Sequence, residues 1–404
     1  MTMNKPDKSL NGSLNKNNIM IWYDRSLVLI VASLVAVGLI MVTSSSLHYA
    51  QNSFSGDAYH FVNRHLIYLL IGLVTAAFVL TQPIIKWQIY GPYLLVIGLI
   101  LLILVLFAGR TVNGSKRWLA IGPLTLQVAE LMKLFVVIYV AGYLVRRTDE
   151  IQSQLTGFIK PLLVLALISG LLLMQPDFGS VVVILSTTLA MLFLGGAKLW
   201  QFIGLSLCVG TTLAGIAYDN PERLERITVF LDPWADPFGS GYQLTQSLIA
   251  FGRGEIVGQG LGNSLQKLSY LPEAHTDFVF AVLAEELGLI GVFVILVLFL
   301  MLFIQSMKIG RTALLQQRAY SAYLAYGIGF WLTLQALINI GVTSGALPTK
   351  GLTLPFISYG GNSLLVGFVA IAILLRVDFE NKLTSKKMLL ISDAELISAG
   401  GKND

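Results

Sequence analysis

The stretch LPEAHTDFVFAVLAEELG, residues 271–288, decides how this chain is read. It places Glu273, His275, Asp277, Glu285 and Glu286 at the head of Leu287–Ile304, 18 residues without a single charge. Such a run is long enough to cross most of a bilayer. Carboxylates where hydrocarbon begins are costly, so they point to function before they point to structure. Asp277 stands out among the five. The positions four, seven and eleven residues on are Ala281, Ala284 and Gly288, a small-residue helix face that lets a backbone or a substrate come close. Glu285 falls on the same face about 12 Å further along. Helix capping is the competing reading of Asp277. His275 and Glu273 read as rim residues, and the roles of Glu285 and Glu286 stay open.

The rest of the chain agrees with a membrane setting. Of 404 residues, 55% are hydrophobic and 12% charged, and the mean hydropathy is +0.74. Soluble domains carry about 25% charged residues. The net charge of +5 is spread between apolar runs, with no compact basic patch to bind nucleic acid. Cys208 is the one cysteine, so no internal disulfide forms, and no Cys or His spacing suits a metal. Apolar runs near 26–46, 64–82, 91–109, 126–145, 159–175, 178–196, 199–217, 279–305, 320–343 and 361–376 predict an all-α polytopic membrane protein of ten spans. Lys and Arg placement puts both termini in the cytoplasm. Arg146, Arg147, Lys160, Lys198, Lys308, Arg311 and Arg318 then lie in inner loops, and only Arg110, Lys116, Arg117 and Lys350 in short outer ones. This divides the chain into an N-terminal tail (1–24), a transmembrane domain (25–376) with a long outer loop at 218–276, and a C-terminal tail (377–404). The first span acts as an uncleaved signal anchor.

Four polar segments gather on the outer side. In 111–127, Lys116, Arg117 and Trp118 suit a lipid headgroup or pyrophosphate, or else ordinary interfacial anchoring. In the following helix, Glu130 and Lys133 share a face. They read either as a buried structural ion pair or as a cation held for an anionic substrate. Within 218–277, glycines 252, 254, 258, 260 and 262 lack any phosphate-loop spacing and indicate loop structure or close backbone approach. The segment 344–363 carries Lys350. Just before it, Gln335 and Asn339 lie on one face, where interhelical hydrogen bonding accounts for them. Together these segments describe a site with cations, carboxylates and apolar walls, suited to a lipid-linked, phosphorylated, hydroxyl-rich substrate. A transporter fits the same description.

The wording of several segments resembles the SEDS (shape, elongation, division and sporulation) family of bacteria. These are 236–288, 347–364 (LPTKGLTLPFISYGGNSL), 117–134 (RWLAIGPLTLQVAELMKL), QPDFGS at 175–180 and 190–202 (AMLFLGGAKLWQF). The resemblance runs from about Tyr23 to Asp378, and Ala274 and Lys350 favour the division branch. It implies a membrane glycosyltransferase that polymerises lipid II into peptidoglycan at the septum and releases undecaprenyl pyrophosphate. By the same resemblance the catalytic aspartate is Asp277, and substrate is bound by Glu130, Lys133, Arg117, Trp118 and Lys350. The implied partners are a class B penicillin-binding transpeptidase and a regulatory complex of FtsQ, FtsB and FtsL in the inner membrane. The departing pyrophosphate is neutralised by some of Arg117, Lys133 and Lys350, or by a bound divalent cation, Mg or Mn, for which spacing assigns no ligand set. A lipid-linked precursor flippase and a scaffold for the transpeptidase are the competing readings.

Overall fold

The computed structural model describes residues 23–53, 56–112, 115–122, 124–218, 230–348 and 351–400. Each of the ten apolar runs lies in a helix. They are α1 (Arg25–Ser53), α2 (His60–Thr81), α3 (Ile84–Ala108), α4 (Val128–Arg146), α6 (Leu155–Leu173), α7 (Phe178–Leu194), α8 (Leu199–Tyr218), α10 (Val279–Leu315), α11 (Ala319–Thr343) and α12 (Gly361–Gly400). Two further helices are α5 (Thr148–Ser153) and α9 (Tyr242–Gly254). Among the described residues, eight helices are long and apolar enough to cross a membrane, and α7 is a shorter apolar one. The protein is therefore a polytopic helical membrane protein.

α4 and the first part of α12 bury residues on nearly all faces, as helices at the centre of a bundle must. α11 packs against α10, α4 and α7, and α12 against α2. α2 and α3 instead expose leucine, isoleucine and valine along their length, the surface that lipid would cover.

The segment between α3 and α4 departs from the all-helical expectation. It forms a three-stranded antiparallel sheet of β1 (Arg110–Val112), β2 (Ser115–Ile121) and β3 (Leu124–Gln127). Val112 pairs with Ser115 and Ile121 with Leu124, so each connection is two residues long. The sequence carries the signal for the first hairpin, since Asn113–Gly114 stands where a two-residue turn needs positive φ.

The helix begun at Val279 is really two. At Gly288 the backbone turns to φ 65, ψ −165, a conformation open to glycine. The groups freed by this break find partners on residues 255–260. Gln259 N donates to Glu285 O and Gly260 N to Glu286 O, while Leu289 N and Ile290 N donate to Glu255 O and Ile256 O. Irregular backbone at this depth is tolerated because the freed groups are answered by protein. The glycines make the approach possible. A Cβ at Gly254 would stand 2.0 Å from Ala284 O, and one at Gly258 2.2 Å from Glu286 O. Close backbone approach is the use of Gly254 and Gly258, while Gly260 and Gly262 serve loop structure at positive φ.

A second irregular segment, 351–359, enters the bundle from the same end. It reaches the middle of α1, where a Cβ on Gly38 would lie 2.2 Å from Phe356 O. Leu354, Phe356 and Ile357 are buried, and Leu354 N is satisfied by Ser358 Oγ at 2.8 Å.

Candidate active site around Asp277

The second of these segments reaches Asp277, where a Cβ on Gly351 would stand 2.7 Å from Asp277 Oδ2. Asn339 lies 21 residues along α11 from Arg318, about 31 Å at 1.5 Å per residue. Asn339 Nδ2 donates to the main-chain oxygen of Asp277 at 2.8 Å, which sets Asp277 at the same level, near the edge of a hydrocarbon layer about 30 Å thick. The N-cap of α10 is Phe278, and no side chain caps the helix there. The amide of Phe278 is taken instead by Glu273 O. The Asp277 carboxylate is thus not spent on capping.

Its surroundings hold a proton on it. Half-burial is the main cause, and the nearby carboxylates of Glu273, Asp177 and Glu130 add to it against the pull of Arg117. The pKa is pushed up to about 7. A carboxyl poised near neutrality is matched to accepting a proton from a hydroxyl. His275 is buried, and burial lowers its pKa against the opposing pull of Glu273. Its ring packs on Phe61, Tyr49 and Tyr359, and its main-chain oxygen accepts from Tyr359 N. It braces the segment before Asp277.

Glu130 and Lys133 form an ion pair at 2.7 Å, with Lys133 only 1% exposed. Lys133 Nζ also donates to Gln335 Oε1 at 3.0 Å, and Gln335 Nε2 donates to Thr353 O at 2.9 Å. Trp331 Nε1 donates to the same Gln335 oxygen. The polar face of α11 therefore grips the segment 351–354 as well as a neighbouring helix, a role that helical spacing alone did not reveal. Glu130 Oε2, Asn339 Oδ1 and Thr353 Oγ1 are buried without a partner among the described residues.

Arg117 sits on β2 and donates to the main-chain oxygens of Gln175 at 3.0 Å and Pro176 at 2.7 Å. It ties the sheet to the break before α7 while its charge reaches Asp277. Asp177 caps α7 by accepting from Ser180 N and Oγ. The sequence marks it as a cap but not as a neighbour of Asp277. Lys116 is exposed, and Trp118 pairs with Gln127 across the sheet. Lys350 lies outside the described residues, as do Arg223 and Arg226.

Glu285 and Glu286 turn out to belong to the scaffold. Both are 0% exposed. Glu285 pairs with Arg253 and accepts from Ser264 Oγ, Leu265 N and Gln266 N. Glu286 pairs with Lys267 at 2.7 Å and accepts from Ser44 Oγ. These bonds hold 253–267 to α1 and to the break in α10.

Among the described residues no three carboxylate, histidine or cysteine side chains converge, and the Lys133 ammonium stands beside Glu130.

A polytopic helical membrane protein with a half-buried carboxylate, a buried lysine and two entering loops at one end is the class that fold and site define. The family model described as "Cell cycle protein", covering FtsW, RodA and SpoVE, matches residues 24–383. The chain belongs to this family. It is similar to the probable peptidoglycan glycosyltransferase FtsW of Tolumonas auensis, 52% identical over 91% of this chain and 95% of the relative. The protein of the same name from Coxiella burnetii is 53% identical over 91% of this chain and 100% of the relative. Among solved structures, a chain described under "Structural coordination of polymerization and crosslinking by a peptidoglycan synthase complex" aligns with TM-score 0.74 at 27% identity. The alignment covers 89% of this chain and 98% of that one. The rod shape determining protein RodA of Thermus thermophilus aligns with TM-score 0.65 at 28% identity, over 89% and 97%.

Proposed function

We propose that this peptidoglycan glycosyltransferase uses Asp277 as the general base in polymerising lipid II. The activity class is that of the FtsW relatives at about half identity. The observation that carries the assignment of the base is a half-buried carboxyl held near pKa 7 against the entering segment 351–354. Asp277 takes the proton of the acceptor sugar's hydroxyl as its oxygen attacks the anomeric carbon of the donor. The carbon inverts, and undecaprenyl pyrophosphate departs with the bonding pair. Positive charge for the leaving group comes from Lys133, Arg117 and Lys116, with Trp118 beside the headgroups, and Lys350 is a further candidate on its sequence position alone. Glu130 holds Lys133 in place through their ion pair. A Mg or Mn ion enters only as the counter-ion of the pyrophosphate, and no step runs through it.

Ten spans with both termini in the cytoplasm place Asp277 at the outer face of the inner membrane, at the septum, where lipid-linked precursor is presented. The segment 218–276 then belongs to the outer side, and its described part packs on the spans through Ser247, Arg253 and Lys267. A class B penicillin-binding transpeptidase is the proposed partner, supported by the likeness to a chain of a synthase complex, and FtsQ, FtsB and FtsL are its proposed regulators. A flippase would use the same cavity without needing a base.

The test is lipid II polymerisation by the purified complex with its transpeptidase blocked by a β-lactam. Asp277→Asn is expected to make no glycan polymer while eluting as folded protein. Wild-type polymer from that variant would refute the base, and no polymer from the unmodified complex would favour transport.

A further inference from the structure

Asn339 makes contacts that a helix-packing asparagine does not need. Its Nδ2 donates twice, to Asp277 O at 2.8 Å and to Leu352 O at 2.5 Å. The residue is 1% exposed. This twofold attachment brings the residue before Leu352 against the carboxyl of Asp277. A Cβ built on Gly351 would stand 2.7 Å from Asp277 Oδ2, closer than real side chains come. Gln335, one turn away on α11, fixes the same segment through Thr353 O and connects it to Lys133.

We propose that Asn339 is a positioning residue for the reaction, its amide clamping the main chain of Asp277 to the segment 351–354 so that Gly351 rests on the carboxyl and sets its direction. The proposal rests on the reading of Asp277 as the base. Without the clamp the segment 351–354 lifts, water reaches Oδ2, and the carboxyl loses both its aim and its desolvation. The groups facing Asp277 stay as they are: Glu273 from the preceding turn, Asp177 from the start of α7, Glu130 from α4 and Arg117 from β2. The change therefore comes from solvent. A better-hydrated carboxyl is a weaker base, so turnover falls while substrate binding, made elsewhere, persists.

The test is the pH dependence of lipid II polymerisation by the full chain with its transpeptidase partner, comparing Asn339→Ala and Gly351→Ala with the unmodified protein. For Asn339→Ala, kcat is expected to fall at least tenfold with KM within about twofold. The acidic limb of kcat is expected to move down by at least half a pH unit. Gly351→Ala, which leaves Asn339 in place and pushes on Oδ2, is expected to lower kcat similarly. Folded yield is read by size exclusion in detergent. A loss confined to yield or KM, with the acidic limb unmoved, overturns the proposal. If Asn339→Ala does not accumulate, unchanged kcat in Gly351→Ala overturns it. Asp277→Asn run alongside separates the two readings. Activity retained there refutes the base, whereas an inactive Asp277→Asn with an unmoved limb in Asn339→Ala refutes only the clamp.

Discussion

Replacing Lys267 by methionine leaves the Glu286 carboxylate, 0% exposed, with the Ser44 hydroxyl and no cation. Removing one member of a buried ion pair costs about 3–5 kcal/mol, because the remaining charge stays desolvated. Glu286→Gln is milder. The amide oxygen still accepts from Ser44 and from Lys267, and Lys267 is itself 8% exposed, so about 1–3 kcal/mol is expected. The double variant Lys267→Met/Glu286→Gln removes both charges and keeps the volume. Its cost is expected below that of Lys267→Met alone, with a coupling of about 2 kcal/mol or more. The assay is thermal unfolding of the detergent-solubilised protein. At about 2–4 °C per kcal/mol, Lys267→Met lowers Tm by the order of 10 °C, and the double variant recovers at least half of that. Additive losses, or a shift under about 2 °C for Lys267→Met, would refute the view that this pair anchors residues 255–267 to α1 and α10.

Two further outcomes follow from the same geometry. Asp277 is protonated below its pKa of about 7 and useless there as a base. Polymerisation is expected to rise about tenfold per pH unit from pH 5 to near 7 and then level off. The same raised pKa adds stability that is full below the ordinary carboxylate range and lost as pH rises through about 7. An acidic limb of kcat below pH 5 would contradict this environment. Gly258→Ala brings a Cβ to 2.2 Å from Glu286 O at φ 87, so unfolding is expected to come earlier by about 1–3 kcal/mol, read by the same melt. An unchanged melt would mean that 255–260 does not close the break.

The apolar helices and the concentration of charge at 271–288 were legible because bilayer hydrocarbon imposes a simple rule on composition. What was not legible depends on pairing across distance. Glu285 and Glu286 had no role that the sequence could assign. Their partners Arg253 and Lys267 sit in a glycine-rich stretch that carries no periodic signal. The break at Gly288 falls at the head of the uncharged run, where a single glycine reads as one more member of the small-residue face rather than as a stop. The sheet at 110–127 did leave a trace in Asn113–Gly114, but short strands at a membrane surface give too few alternations to stand out. Asn339 and Gln335 read as helix-to-helix polar contacts because the sequence shows their shared face and not the loop that fills it.

The way the two entering loops are tied has a consequence for the order of assembly. Residues 255–260 are made just before the stretch they pair with, so the broken helix can close as soon as both emerge. The ties that complete the site join distant parts of the chain, Asn339 to Asp277 across 62 residues and Phe356 to Gly38 near the start. Contacts of such separation form late, after the chain ends have been brought together. The Asp277 carboxyl can thus be in the membrane, in a locally folded setting, well before it is oriented. Its surroundings are complete only when the last loop drops between α1 and α11.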